Sequence, residues 1–384
     1  MMGLDRQSPA WMYVDDPASQ RRRGRGYRAG FHRTGTARAL RVGLLIPLSG
    51  PAGLWGPSCQ TSAMLAAAEI NEQGGVLGRE LELVLADAGG DPGDVAATAL
   101  DMVEDGGVEA VVGMHISAVR LALVRALRGR IPYVYTPVYE GGEDRRGVFM
   151  VGETPQQQLR PAIAWLTEHR RANRWYLVGN DYIWPRVSHR DAKTYIAANG
   201  GRVVGEDYLP FGTEDFDASL RRIEAAWPDA VLVSMVGGDS VAFNRRFGES
   251  GLARNMLRLS SAAEENTLFG IGAENAENFY YVAGYLASLA TPDNQALLDR
   301  YRSAFGERAP MLNTIGQSCY EGLRLYAAMG ARAGSLGLRA LVKAAEGTSY
   351  RGGRGPVTLS GSHISTPIYL AEADGLEFRI IAQF

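Results

Sequence analysis

The chain has little of what most enzymes and nucleic-acid binders use. It holds two cysteines in 384 residues, Cys59 and Cys319, far apart in sequence. Two such thiols make neither a disulfide framework nor a metal ladder, and their scarcity fits a reducing compartment. Of its 40 basic residues only Lys193 and Lys343 are lysines, and the formal net charge is −2. No global basic field therefore draws it to nucleic acid or acidic lipid. The five histidines, His32, His115, His169, His189 and His363, show no ligand spacing. There is no Walker phosphate loop, no zinc-type His-Glu-x-x-His and no dinucleotide fingerprint after the first strand. Gly248-Glu249-Ser250-Gly251 lacks the last glycine of a nucleophile elbow. A hydrolase needs a nucleophile with an activating base, and none is found. The expectation is a protein that binds rather than catalyses, with no cofactor and no metal.

Long hydrophobic runs are also missing, so no segment is long and apolar enough to span a bilayer. Residues 1–40 do not read as a secretory signal. They are polar, with Arg21-Arg22-Arg23-Gly24-Arg25, and lack the apolar stretch that export needs. They are expected to form a disordered basic arm, and the protein is expected to be cytoplasmic. A mis-assigned start codon accounts for the arm equally well and would leave the protein periplasmic. An arginine-rich arm can also tether nucleic acid; a plain tail is the simpler reading.

What remains is a regular alternation of strand and helix. Nearly half the residues are hydrophobic, and the length suits two packed lobes. Val42 to Pro47, Leu81 to Leu85, Ala110 to Gly113 and Ile131 to Tyr135 read as strands, with helices at Ser58 to Gln73 and from Ser117. The rhythm restarts at Pro155. Strands are expected at Trp175 to Gly179, Arg202 to Tyr208 and Ala230 to Met235, each followed by a helix. Asn313 to Gly330 reads as one long helix, and Val357 to Leu359 and Ile368 to Ile381 as closing strands. This predicts an α/β fold of two lobes, each a parallel sheet flanked by helices. In such sheets ligands sit beyond the carboxyl ends of the strands, in the loops after the third and fourth strands, after Gly179 and after Met235.

Particular segments sharpen the reading. Gly43-Leu44-Leu45-Ile46-Pro47-Leu48-Ser49-Gly50 and Ala68-Glu69-Ile70-Asn71-Glu72-Gln73-Gly74-Gly75-Val76-Leu77-Gly78-Arg79 resemble the opening strand and first-helix signature of the type I periplasmic solute-binding proteins. Asp87-Ala88-Gly89-Gly90-Asp91-Pro92 looks like their following turn. Tyr135-Thr136-Pro137-Val138-Tyr139-Glu140-Gly141 and Gly179-Asn180-Asp181-Tyr182-Ile183-Trp184-Pro185-Arg186 resemble the amide and urea branch, which includes the negative regulators of aliphatic amidase operons. The resemblance runs from about residue 41 to the end. It implies a type I periplasmic-binding-protein fold with a cleft between lobes joined by three crossings. The N-lobe is expected at 41–152 and 286–345, and the C-lobe at 153–285 and 346–384.

The same resemblance implies the site. Ser117, at a strand-to-helix junction, suits either a ligand contact or a helix N-cap, and one residue can do both. His115 stands where amide-branch members carry a tyrosine, which puts acetamide-like specificity in doubt. Tyr135 and Thr136 lie on the fourth loop, with Thr136-Pro137 reversed relative to that branch. Tyr182 and Trp184 would close over a small planar ligand. Gly237 would let backbone approach the ligand, Glu264 would accept from an amide or pair with an ammonium, and Tyr285 would sit near the second crossing. No arginine pair stands among these positions, so a neutral or zwitterionic ligand is expected. Two roles follow. One is a cytoplasmic amide or urea sensor acting on an antiterminator-like protein partner, with a homo-oligomer among the expected forms. The other is the receptor of an ABC permease for urea, short amides or branched-chain amino acids.

Overall fold

The computed structural model describes residues 39–384. The expected basic arm therefore lies outside the described residues, apart from its last two positions. Leu40 already belongs to the first strand.

β1 (Leu40–Ile46) is followed by a short turn of 3-10 helix at Pro51–Trp55, then α1 (Gly56–Glu72), β2 (Leu81–Asp87) and α2 (Pro92–Glu104). Next come β3 (Ala110–Gly113), α3 (Ser117–Leu127), β4 (Tyr133–Tyr135) and β5 (Val148–Met150). The chain then crosses to a second unit: α4 (Pro155–Arg170), β6 (Arg174–Asn180), α5 (Ile183–Ala198), β7 (Arg202–Leu209), α6 (Asp217–Ala226), β8 (Ala230–Ser234), α7 (Gly237–Glu249), β9 (Leu257–Ser260), α8 (Glu265–Ile271) and β10 (Phe279–Ala283). It returns with α9 (Pro292–Phe305), α10 (Thr314–Ala333), α11 (Leu338–Ala344), β11 (Ser349–Gly352), β12 (Gly355–Ser360) and β13 (His363–Ser365), and ends across the cleft with β14 (Tyr369–Asp374) and β15 (Glu377–Gln383).

The two sheets run β11-β12-β13-β5-β4-β3-β1-β2 and β15-β14-β10-β9-β8-β6-β7. The central strands are parallel in both. Their residues are apolar without alternation, as strands covered on both faces must be: β3 is Ala-Val-Val-Gly and β8 Ala-Val-Leu-Val-Ser, with every residue buried. The helices between them start at local signals. Asp91 accepts from the Gly93 and Asp94 N–H groups, with Pro92 in the first turn of α2. Thr154 and Gln157 form a capping box where the chain enters α4. Two-lobed architecture was the sequence expectation, and it holds.

One boundary differs from the expected division. β11, β12 and β13 join the first sheet, so the last crossing lies at 366–368 and not at 345/346. β12 alternates buried and exposed residues, a pattern that fits the margin of either sheet. Its sheet was thus not legible from the pattern alone.

Strand order reverses between β1 and β3 in one sheet and between β6 and β8 in the other. A crevice opens beyond the carboxyl ends of the strands at each such reversal. The two crevices face one another, and that places the site.

Candidate functional site

The loops at the two reversal points meet around one cavity of about 20 Å³, the room of one or two waters in this closed arrangement. Trp55 comes from the turn after β1, and Met114 to Ser117 from the β3–α3 junction. Tyr135 ends β4, Pro137 and Val138 follow it, and Ile315 lies in the first turn of α10. The second lobe supplies Tyr182 and Trp184 after β6, Val236 after β8 and Ala262 after β9. The walls are therefore aromatic and aliphatic, with few polar groups, the usual make-up of a small-molecule pocket.

Of the residues expected from sequence, five line this cavity: His115, Ser117, Tyr135, Tyr182 and Trp184. The Tyr182 ring lies 6.2 Å from that of Trp184 and 5.1 Å from that of Phe211. Trp184 is buried, and its indole N–H has no hydrogen-bond partner. Ser117 Oγ donates to Glu140 at 2.5 Å. Glu140 also takes Arg120 at 2.7 Å, and Arg120 reaches Glu143 on its other side. The Ser117 proton is thus committed, and the hydroxyl offers the cavity only a lone pair. At the start of α3 the Val119 and Arg120 N–H groups donate to the Ile116 carbonyl, which leaves those of Ser117 and Ala118 to receive a ligand oxygen.

His115 contributes its ring and not a polar contact. Nδ1 lies 3.3 Å from the Ile116 carbonyl and Nε2 3.0 Å from the Tyr133 hydroxyl, so both nitrogens are used inside the lobe. Burial pushes its pKa down to about 3, helped by the Arg120 charge and opposed by the bond to Ile116. The imidazole is neutral across the physiological range. The Tyr135 hydroxyl likewise turns inward, donating to the His115 carbonyl at 2.8 Å.

Four expected residues stand elsewhere. Thr136 faces α10, donating to the Gly113 carbonyl at 3.4 Å and accepting from Ser318 at 3.0 Å. Gly237 does not approach the cavity; it meets the opposite lobe. Its φ is +52°, and a Cβ there would stand 2.0 Å from the Pro51 carbonyl oxygen. Glu264 sits behind the wall and accepts from the indole N–H of Trp55 across the lobes at 2.5 Å. It also accepts from the Asn266 N–H and the Thr267 hydroxyl. Burial, with Glu265 beside it, raises its pKa to about 7 against those bonds. Tyr285 is buried at the second crossing, where its hydroxyl donates to Asn294 at 2.6 Å.

Sequence reasoning missed Trp55, Met114, Ile116, Pro137, Val138, Val236, Ala262 and Ile315 as lining residues. Trp55 carried a usable signal, an aromatic in the loop directly after the first strand. The other seven are apolar and look like core. Among the described residues no group of three or more His, Cys, Asp or Glu side chains can hold a metal, and no helix is long and apolar enough to cross a membrane.

Comparison with known proteins agrees with this geometry. Leu/Ile/Val-binding protein homolog 6 of Brucella melitensis is 26% identical over 348 residues, covering 88% of each chain. The leucine-, isoleucine-, valine-, threonine- and alanine-binding protein of Pseudomonas aeruginosa is 25% identical over 283 residues, 70% of this chain and 72% of that one. Among solved structures, a solute-binding protein of an ABC transporter from Rhodopseudomonas palustris HaA2, with p-hydroxybenzoic acid bound, superposes with a TM-score of 0.81. It is 22% identical, and the match covers 90% of this chain and 97% of that one. The branched-chain amino acid transporter substrate-binding protein of Streptococcus pneumoniae, with isoleucine, gives 0.79 at 20% identity, over 90% and 99% of the chains. These relatives are binding proteins, and this chain is one too, not an enzyme. Nothing in them supports the amide and urea branch, the cytoplasmic placement or the regulatory partner expected from sequence. The profile described as "Periplasmic binding protein" matches residues 39–377, and the chain belongs to that family.

Proposed function

We propose that the chain is the solute-binding component of an ABC importer, and that its solute is a small molecule with an apolar body and a compact polar head, an amino acid of the branched-chain kind or a relative of it. The observation that carries this is the closed aromatic cavity at the paired strand reversals, with the buried, unpartnered indole N–H of Trp184 in its wall. Trp55, Tyr182, Trp184 and Ile315 would hold the apolar body. The α3 N-terminus would take the head's oxygen, and Ser117 Oγ, with its proton on Glu140, would accept from an N–H. The names of the relatives point to the same solutes. An importer's receptor works outside the cytoplasmic membrane with a permease as its partner.

A second reading keeps the amide and urea solutes expected from sequence. It is favoured by the small closed volume and by the absence of any Arg or Lys from the cavity lining.

Thermal unfolding against leucine, isoleucine, valine, 4-hydroxybenzoate, butyramide, acetamide and urea tests both. A ligand at a hundredfold over its Kd adds about 2.7 kcal/mol of stability and raises the midpoint. The first reading expects that rise with a branched-chain amino acid. A rise with butyramide, acetamide or urea alone replaces it with the second. No rise with any of the seven overturns both.

A further inference from the structure

Behind the aromatic cavity lies a second, smaller space of about 10 Å³, room for about one water. Pro137, Val138 and Ile315 line both spaces. Its character is different. Gln158, Ser261 and Tyr281 come from the second lobe, Thr314 and Ser318 from α10, and Arg354 reaches in from the β11–β12 turn. Arg354 pairs with Glu153, from the first crossing, at 2.5 Å and donates to Gln317 at 3.2 Å. Both charges are almost fully buried and offset one another.

Gln158 Oε1 lacks a partner although its residue is 1% exposed, and the Tyr281 hydroxyl, on a residue 0% exposed, has only the Thr314 hydroxyl beside it. The Gln158 amide nitrogen turns to Glu153 at 3.5 Å, leaving its oxygen unused. The nearby Thr314 hydroxyl donates to the Tyr285 carbonyl at 2.6 Å. Buried polar atoms without partners are rare and costly, and this pair presents one acceptor and one group that can give or take. Ser261 and Ala262 are consecutive and line one space each, so the same loop covers both. The two spaces thus share a wall, with the aromatic cavity on one side and the polar space on the other.

We propose that this hinge-side chamber is a second subsite, which receives an uncharged hydrogen-bonding tail, a hydroxyl or a primary amide, at the far end of the solute. It rests on the reading of the aromatic cavity as the seat of the solute's apolar body. A charged tail is disfavoured because Arg354 and Glu153 already neutralise each other. The tail's proton goes to Gln158 Oε1, and its lone pair receives the Tyr281 proton. An apolar tail would leave the Gln158 oxygen unpaired, and a site built to bond a hydroxyl discriminates strongly against the analogue lacking it.

Isothermal titration of the full chain with matched pairs tests this: norvaline against 5-hydroxynorvaline, butyramide against 4-hydroxybutyramide, and benzoate against 4-hydroxybenzoate. Whichever body binds, its hydroxylated member is expected to bind at least tenfold more tightly. Tyr281→Phe and Gln158→Leu should each remove most of that preference and leave the unhydroxylated member within about twofold of its original affinity. Equal binding within the pair, or a preference that survives both substitutions, overturns the chamber and leaves the aromatic cavity standing. Binding by no member of any pair overturns the cavity reading, and the chamber with it. Unfolding midpoints of both variants, measured without ligand, show whether they fold.

Discussion

Trp184 carries an unsatisfied donor in the cavity wall. Its indole is buried in the cavity wall with a free N–H, which costs about 1–3 kcal/mol if nothing accepts from it. A solute oxygen that accepts this proton recovers that cost on binding. Trp184→Phe keeps a ring and removes the donor. It should weaken solute binding about tenfold, read by titration calorimetry, with the unliganded unfolding midpoint unchanged or slightly raised. His115 makes the opposite case, a polar residue with no polar work left for the ligand. Its pKa falls to about 3 in the folded chain against 6.5 for an exposed imidazole. Between those values the unfolded chain holds the extra proton, so this group's contribution to stability is present above pH 6.5 and is lost as the pH drops towards 3. In urea titrations across that range, His115→Gln should lose stability less steeply than the parent as the pH falls. Parallel curves would mean that the imidazole is not buried neutral.

At the scale of elements, the start of α7 and the turn after β1 touch across the cleft at Gly237 and Pro51. The close approach and the positive φ both require glycine there. Gly237→Ala places a methyl group against the Pro51 carbonyl and adds about 1–2 kcal/mol for the left-handed backbone. The lobes are then held apart, so solute affinity should fall at least tenfold while each lobe stays folded. Circular dichroism reports the folding, and small-angle scattering should show an extended particle even with solute present. An affinity within twofold of the parent would mean that this contact has no part in closure. The elements themselves were largely legible: β3 and the start of α3 fall where the apolar run and the following Ser117 place them. β5, β9, β10 and the helices between Glu265 and Phe305 were not: β5 is only three residues long, β10 is an apolar run that sequence reasoning passed over, and β9 carries Arg258, buried among Phe247 and Phe279 with backbone carbonyls as partners. A buried arginine reads from sequence as surface.

For the whole molecule, the proposed function is the difference between two arrangements of the lobes. The closed one carries the Trp55–Glu264 bond across the cleft, the Gly237–Pro51 contact and the aromatic walls together. A solute shifts the population only through contacts that the open form lacks. Saturating solute should therefore shrink the radius of gyration in small-angle scattering. Trp55→Phe, which cuts the bond to Glu264, should leave more of the unliganded protein open and weaken affinity. An unchanged radius on adding a solute that binds would argue against a closing receptor.

The sequence by itself determined two parallel α/β lobes, because continuous apolar strands alternating with amphipathic helices have few other ways to bury themselves. It also put the site in the loops beyond the strand ends, and five of the nine residues named from it line the cavity. The tertiary structure decided which side chains those loops turn inward. Thr136 sits beside the cavity residue Pro137 yet faces α10 and the smaller polar space, not the aromatic cavity. It brought Cys59 and Cys319 together between α1 and α10, where burial and the neighbouring thiol push the Cys59 pKa up. It assigned the alternating strands at 349–365 to the first sheet. Glu264 meets Trp55, and Arg354 meets Glu153, only because the chain crosses between the lobes three times and the lobes close. Local pattern fixes a segment's form, while partners distant in sequence are set by the packing of whole lobes, which no short window contains.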